Sequence, residues 1–180
     1  MGIPKEPAPV KCFVALLSSS GKNLASVERD LTALLGPIDS RSPGLPWEVT
    51  DYYAEEMGRE LTRIFFSFLP LISPEMLAPI KLKTQALEND HARLEDVRKR
   101  RTVNIDPGYL DVGKITLAST KYAGHRLYLN SGIYGEVTLL YYRGAFHPFD
   151  YTYPDYLWPD TLSFFAAMRA LYLTQLKPAA

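Results

Sequence analysis

A chain of 180 residues, 47% hydrophobic and 12% aromatic, suits one globular domain burying roughly 70% of its unfolded surface, which excludes a disordered tail. Twenty basic and twenty acidic residues cancel, so a general electrostatic grip on nucleic acid is not indicated. A single cysteine excludes an internal disulfide or a thiolate metal cluster, and no apolar run reaches the roughly 20 residues that cross a bilayer.

The N-terminus lacks a signal-peptide layout, and a cytoplasmic protein without membrane contact is expected. One domain is expected over residues 1–180, with proline-rich residues 1–9 as an extended arm. Val10–Leu17 predicts a central strand, because a near-continuous apolar run suits burial on both faces. Cys12 inside it reads as a small buried hydrophobe. A helix follows over Asn23–Leu35, capped by Ser20 or Asn23 and ended by Gly36-Pro37. The Ser-Gly-Lys before it is not a phosphate loop, since that motif needs Gly where Leu16 stands and Ser or Thr where Asn23 stands.

Gly36–Glu48, rich in Pro and Gly, predicts an irregular loop pinned by Trp47. Val49–Ala54 and Leu61–Leu69 predict a hairpin across Glu55–Gly58. Ser73 and Pro74 open a helix towards Arg93, with Pro79 as a kink. Val103–Ile105 predicts a strand, after which Asp106-Pro107 opens a short helix or turn, or a strand forms at Ile115–Leu117. Arg126–Leu129 and Ile133–Tyr142 predict a hairpin through Asn130-Ser131-Gly132, Ala145–Phe149 an edge, and Thr161–Leu176 a closing helix. The fold class is therefore α+β. The expected sheet is mixed and largely antiparallel with helices on one face, built from a ferredoxin-like β-α-β-β-α-β opening plus a C-terminal hairpin and helix.

Candidate functional residues concentrate in Thr102–Tyr156. Asp106 suits a general base or metal ligand if the strand ends there, and Asn104 shares its side of the strand. Glu136 belongs to a face with Tyr134, Thr138 and Leu140, opposite Ile133, Gly135, Val137 and Leu139. It can meet Lys114, Lys121 or Arg126, or share a divalent metal with Asp106. His125 is the acid–base candidate among the histidines. Asp51, Tyr52, Asn104, Tyr109, Lys121, Arg126, Tyr134 and Tyr153 complete a ligand-binding set, for tyrosine pairs an apolar ring with a polar tip.

The motifs Asn104-x-Asp106-Pro107-Gly108-Tyr109-Leu110, His125-Arg126-x-Tyr128-Leu129, Gly132-Ile133-Tyr134-x-Glu136-Val137-Thr138-Leu139 and Tyr153-Pro154-Asp155-Tyr156 resemble a bacterial family catalogued as a domain of unknown function. The resemblance covers nearly the whole chain and implies no established activity. Members are in places labelled GTP-binding, a label that needs the phosphate loop this sequence lacks.

The expected function is binding of a small anionic ligand, such as a nucleotide or phosphate compound, in a tyrosine-lined polar cleft. One alternative is a metal-assisted phosphoester-processing enzyme using Asp106, His125 and Glu136. The other is a module that binds a protein partner through Tyr151–Tyr156.

Overall fold

Val10–Ser18 is buried along its whole length, so the strand needs cover on both faces. The computed structural model, which describes residues 2–19, 21–95 and 98–177, supplies that cover. In chain order the elements are β1 (Val10–Ser18), α1 (Gly21–Leu35), β2 (Ile38–Arg41), β3 (Leu45–Pro46), α2 (Ala54–Met57), β4 (Thr62–Ile72), α3 (Leu77–Asp90), β5 (Arg93–Glu95), β6 (Arg98–Arg100), β7 (Val103–Leu110), β8 (Lys114–Ser119), β9 (Leu127–Asn130), β10 (Ile133–Tyr142), β11 (Ala145–Pro148) and α4 (Pro159–Gln175). A single 3-10 turn precedes each of α2, α3 and α4. Ser20, expected as a cap, lies outside the described residues, and Asn23 falls within α1 rather than before it.

Nine strands form one sheet in the order β11-β10-β8-β7-β1-β4-β2, with β3 also on β4 and β9 also on β10. Every pairing among the described residues is antiparallel, so the sheet is not mixed. β5 and β6 form a separate hairpin. β4 lies between β1 and β2, and β1 lies between β4 and β7, so α1 and α3 are crossovers that each skip one strand.

The expectation of helices on one face is corrected. Cys12, Val14 and Leu16 of β1 pack with Val27, Leu31 and Leu35 of α1 and Ile80 of α3. Phe13 and Ala15, pointing the other way, pack with Phe164, Phe165, Met168 and Tyr172 of α4. A strand apolar on both sides demands two layers of helix.

Three local expectations also change. The partner of β4 in the hairpin is Ile38–Arg41, within the stretch expected to be irregular. Val49–Ala54 is not a strand, because Thr50 accepts the amide of Tyr52 at 3.1 Å and starts a 3-10 turn at Asp51–Tyr53 that runs into α2. β7 does not stop at Ile105 but continues through Asp106-Pro107-Gly108. A side chain at Gly108 would place its Cβ 2.5 Å from the Phe13 ring and 2.6 Å from the Thr116 carbonyl, so glycine lets three strands close here.

The hairpin β9–β10 turns through Ser131 and Gly132, both at positive φ (50° and 78°), as a two-residue primed turn requires. The pairing of β10 with β8 shifts between Val137 and Leu139. That bulge overturns the simple alternation expected for the strand. Ile133 packs with Leu77 and Ala78 of α3, whereas Leu139 packs with Phe13 and Phe165 on the opposite side.

Candidate functional site

β7 and β8 form a fork. They pair only over Gly108–Leu110, after which β8 pairs with β10 alone. The stretch of β7 before Gly108 therefore has β1 on one side and no strand on the other. Two side chains of α3 take the place of that strand. Glu88 accepts the N–H of Ile105 at 2.6 Å, and the Lys81 ammonium donates to the Ile105 carbonyl at 3.0 Å. Pro107, without an N–H, sits where the β8 ladder stops.

A cavity of about 350 Å³ opens at this fork. Its walls come from β7 (Asn104, Asp106), the end of β8 and the turn after it (Leu117–Lys121), α3 (Lys81, Gln85, Glu88) and the Trp47–Tyr53 segment. Arg63, Arg101, Arg126, Glu136, Tyr153, Asp155 and Tyr156 complete it.

Its charges are ordered in pairs. The Lys81 ammonium lies 2.9 Å from Asp106 Oδ1, and the Asn104 amide donates to Asp106 Oδ2 at 2.5 Å. Arg101 grips Glu56 through two N–H groups at 2.8 and 2.6 Å and donates a third to Asn104 at 3.1 Å. Arg126 donates to Glu136 at 2.6 Å, to the Lys121 carbonyl at 2.8 Å and to the Tyr153 hydroxyl at 2.9 Å. Arg63 lies 2.9 Å from Asp155, both buried, with its guanidinium 4.8 Å above the Trp47 ring. Lys121 differs from these cations. Its ammonium meets the Tyr52 hydroxyl at 3.1 Å and stands 4.8 Å from that ring, with no carboxylate in ion-pair contact among the described residues.

Ionisation diverges across this cluster. Burial works against the charged form of Asp106, but Lys81, Arg63 and the hydrogen bonds from Lys81 and Asn104 outweigh it and hold the carboxyl below its usual range. Burial prevails for Glu88 and Asp155, whose carboxyls are raised despite Lys81 and Arg63 respectively. Burial also lifts the Tyr53 hydroxyl to about 12 and that of Tyr156 far up. The hydrogen bond from Lys121 lowers the Tyr52 hydroxyl.

Of the residues expected from the sequence, Tyr52, Asn104, Asp106, Lys121, Arg126, Glu136 and Tyr153 line the cavity. Four do not. Asp51 is exposed and faces Arg59 at 3.5 Å. Tyr109 packs on the Leu77–Ala78 cluster. Tyr134 meets the rings of Tyr122 and Tyr128. His125 stacks on Tyr151 at 3.9 Å and lies 3.1 Å from Glu136 Oε2, supporting the carboxylate from outside the lining. Lys114, one cation considered for Glu136, pairs with Asp111 instead.

The donor set does not fit the divalent metal considered for Asp106 and Glu136. Each carboxylate already faces its own cation, and among the described residues no group of three or more His, Cys, Asp or Glu can hold a metal ion.

Arg63, Lys81, Glu88, Arg101 and Asp155 were not foreseen. Three of them left a trace: Arg63 is a charge at the start of an apolar strand, and Lys81 and Glu88 are two helical turns apart on one face. Asp155 stands in the Tyr153-Pro154-Asp155-Tyr156 motif and Arg101 ends the basic run Arg98-Lys99-Arg100-Arg101, but neither pattern pointed to a cavity.

Fold and cavity together define an α+β protein with an antiparallel sheet and a charged cavity at a strand fork. No helix among the described residues is long and apolar enough to cross a membrane. The chain belongs to the family described as Domain of unknown function (DUF4416), whose profile matches residues 8–172. No curated protein and no solved structure matches the chain.

Proposed function

We propose that the chain binds a small anionic molecule, a phosphate compound or nucleotide, in the cavity at the β7–β8 fork. Lys121 carries this reading. Arg63, Lys81, Arg101 and Arg126 each face a carboxylate, whereas Lys121 at the rim has none in ion-pair contact among the described residues. In a partly enclosed space a cation without such a partner favours an anion more than it would on an open surface. The rings of Tyr52, Tyr53 and Trp47 beside it offer apolar faces to the rest of the ligand.

The segment Tyr151–Tyr156 supports this reading over a protein-binding module. Thr152, Asp155 and Tyr156 are buried, the Tyr151 hydroxyl donates to the Val137 carbonyl at 3.0 Å, and Tyr153 and Tyr156 form cavity wall. The divergence of Asp106 from Glu88 and Asp155 supports a second reading, an acid–base enzyme acting on the bound anion, because such paired environments separate a base from an acid. Its test is turnover of a bound anion, which Asp106→Asn abolishes without unfolding the protein.

The primary test is a thermal-shift screen against inorganic phosphate, nucleoside phosphates and small carboxylates. A ligand at about 100 times its Kd stabilises the fold by about 2.7 kcal/mol. Lys121→Ala is expected to remove the shift. A melting temperature unmoved by every anion in the screen sinks the reading.

A further inference from the structure

We infer that the floor of the cavity takes a hydroxylated, uncharged end of the ligand, which makes the ligand class a polyol phosphate or sugar phosphate. This rests on the anion-binding reading above and adds to it the chemistry of the far end.

The inference stands on where unpartnered polar atoms are concentrated. Among the described residues, Arg63 Nη1, Glu136 Oε1, Asp155 Oδ1 and the Tyr156 hydroxyl are buried without a hydrogen bond, while Arg63 Nε and Asp155 Oδ2 face each other at 2.9 Å. All four residues line this cavity, and none is more than 4% exposed. The other buried atoms in that condition are the hydroxyls of Thr116, Thr138 and Thr161, which lie outside the lining. Native structures leave few buried polar groups unpaired, so a cluster around one space points to a ligand that pairs them.

The cluster also states what it would pair with. Arg63 offers N–H donors, Glu136 and Asp155 offer carboxylate acceptors, and Tyr156 does either. Arg63 lies against Asp155, and Arg126 against Glu136, so the floor has no net charge with which to hold an ion. A hydroxyl donates and accepts at the same time, which suits guanidinium and carboxylate placed side by side. Lys121 and Tyr52 are exposed at the rim, and the four floor residues are deep. That places the anionic group outward and the hydroxyls inward.

The test compares n-propyl phosphate with sn-glycerol 3-phosphate by titration calorimetry, since the two differ by a pair of hydroxyls on the same carbon chain. Ribose 5-phosphate serves as a larger member of the class. Glycerol 3-phosphate is expected to bind at least about tenfold more tightly than propyl phosphate. Tyr156→Phe, which changes no charge, should shrink that ratio by weakening glycerol 3-phosphate more than propyl phosphate. Lys121→Ala should weaken both compounds and leave the ratio intact. Equal affinity for the two probes in the native protein overturns the inference and leaves the anion site standing. Binding of neither overturns both.

Discussion

Glu88 accepts the main-chain N–H of Ile105 at 2.6 Å, doing for β7 what a neighbouring strand does elsewhere in the sheet. Replacing it tests whether the fork depends on α3. Glu88→Ala leaves a buried N–H without a partner and should cost about 1–3 kcal/mol in chemical denaturation. Glu88→Gln keeps an acceptor oxygen and should cost less at neutral pH.

The cavity carboxylates should write opposite signatures on stability against pH. Glu88 and Asp155 are raised in the fold, chiefly by burial, so the folded state holds their protons more tightly than the unfolded chain. Their contribution is complete below the ordinary carboxylate range and is lost as pH rises through the folded values. Asp106 is lowered, so its contribution is present above the ordinary aspartate value and is lost as pH falls through the folded one. Melting temperatures recorded from about pH 3 to pH 8 should show Glu88→Gln flattening the decline on the higher side and Asp106→Asn flattening the acid limb.

Arg126 should not be replaceable by lysine. Its three N–H contacts reach Glu136, the Lys121 carbonyl and Tyr153 in different directions. Arg126→Ala leaves the buried Glu136 charge without its cation and should destabilise by about 3 kcal/mol. In Arg126→Lys at least about half of that loss should persist, measured by denaturant titration.

Gly108 should tolerate no side chain. Gly108→Ala forces a methyl into the Phe13 ring and the Thr116 carbonyl, and should cost about 1–3 kcal/mol. At Gly113 the nearest atom to an added Cβ is Asp111 Oδ1 at 3.8 Å, so Gly113→Ala should stay within about 0.5 kcal/mol of the parent. Paired thermal melts of the two variants decide it.

Cys12 should be chemically silent. It is fully enclosed in β1, and burial pushes its thiol up to about 12. A thiol reagent at mildly alkaline pH should label it only as fast as the protein opens, and at once in denaturant.

Much of the fold was legible because the signals were local. The near-continuous apolar run of Val10–Leu17, interrupted only by Lys11, announced a strand covered on both faces, and the same run argued against the one-sided helix layer expected for the sheet. Asn-Ser-Gly between two alternating stretches announced the β9–β10 turn, and Pro159 the start of α4. Where local signals competed, tertiary contact decided. Val49–Ala54 has strand propensity, yet the Thr50 cap won. Ile38–Arg41 sits among prolines and glycines, yet β4 offered it an edge.

For the site, strand periodicity by itself determined that Asn104 and Asp106 share a face, because a period of two needs no partner to be read. Only the tertiary structure decided what they face. The fork exists because β8 leaves β7 for β10, and the bulge near Thr138 turns β10 partway along; neither is a property of one segment. The charges that fill the opening come together across the chain, Lys81 to Asp106 and Arg63 to Asp155. Pairings between distant segments follow from how the sheet closes rather than from any residue's neighbours, so a cavity built from them emerges only when the chain is folded.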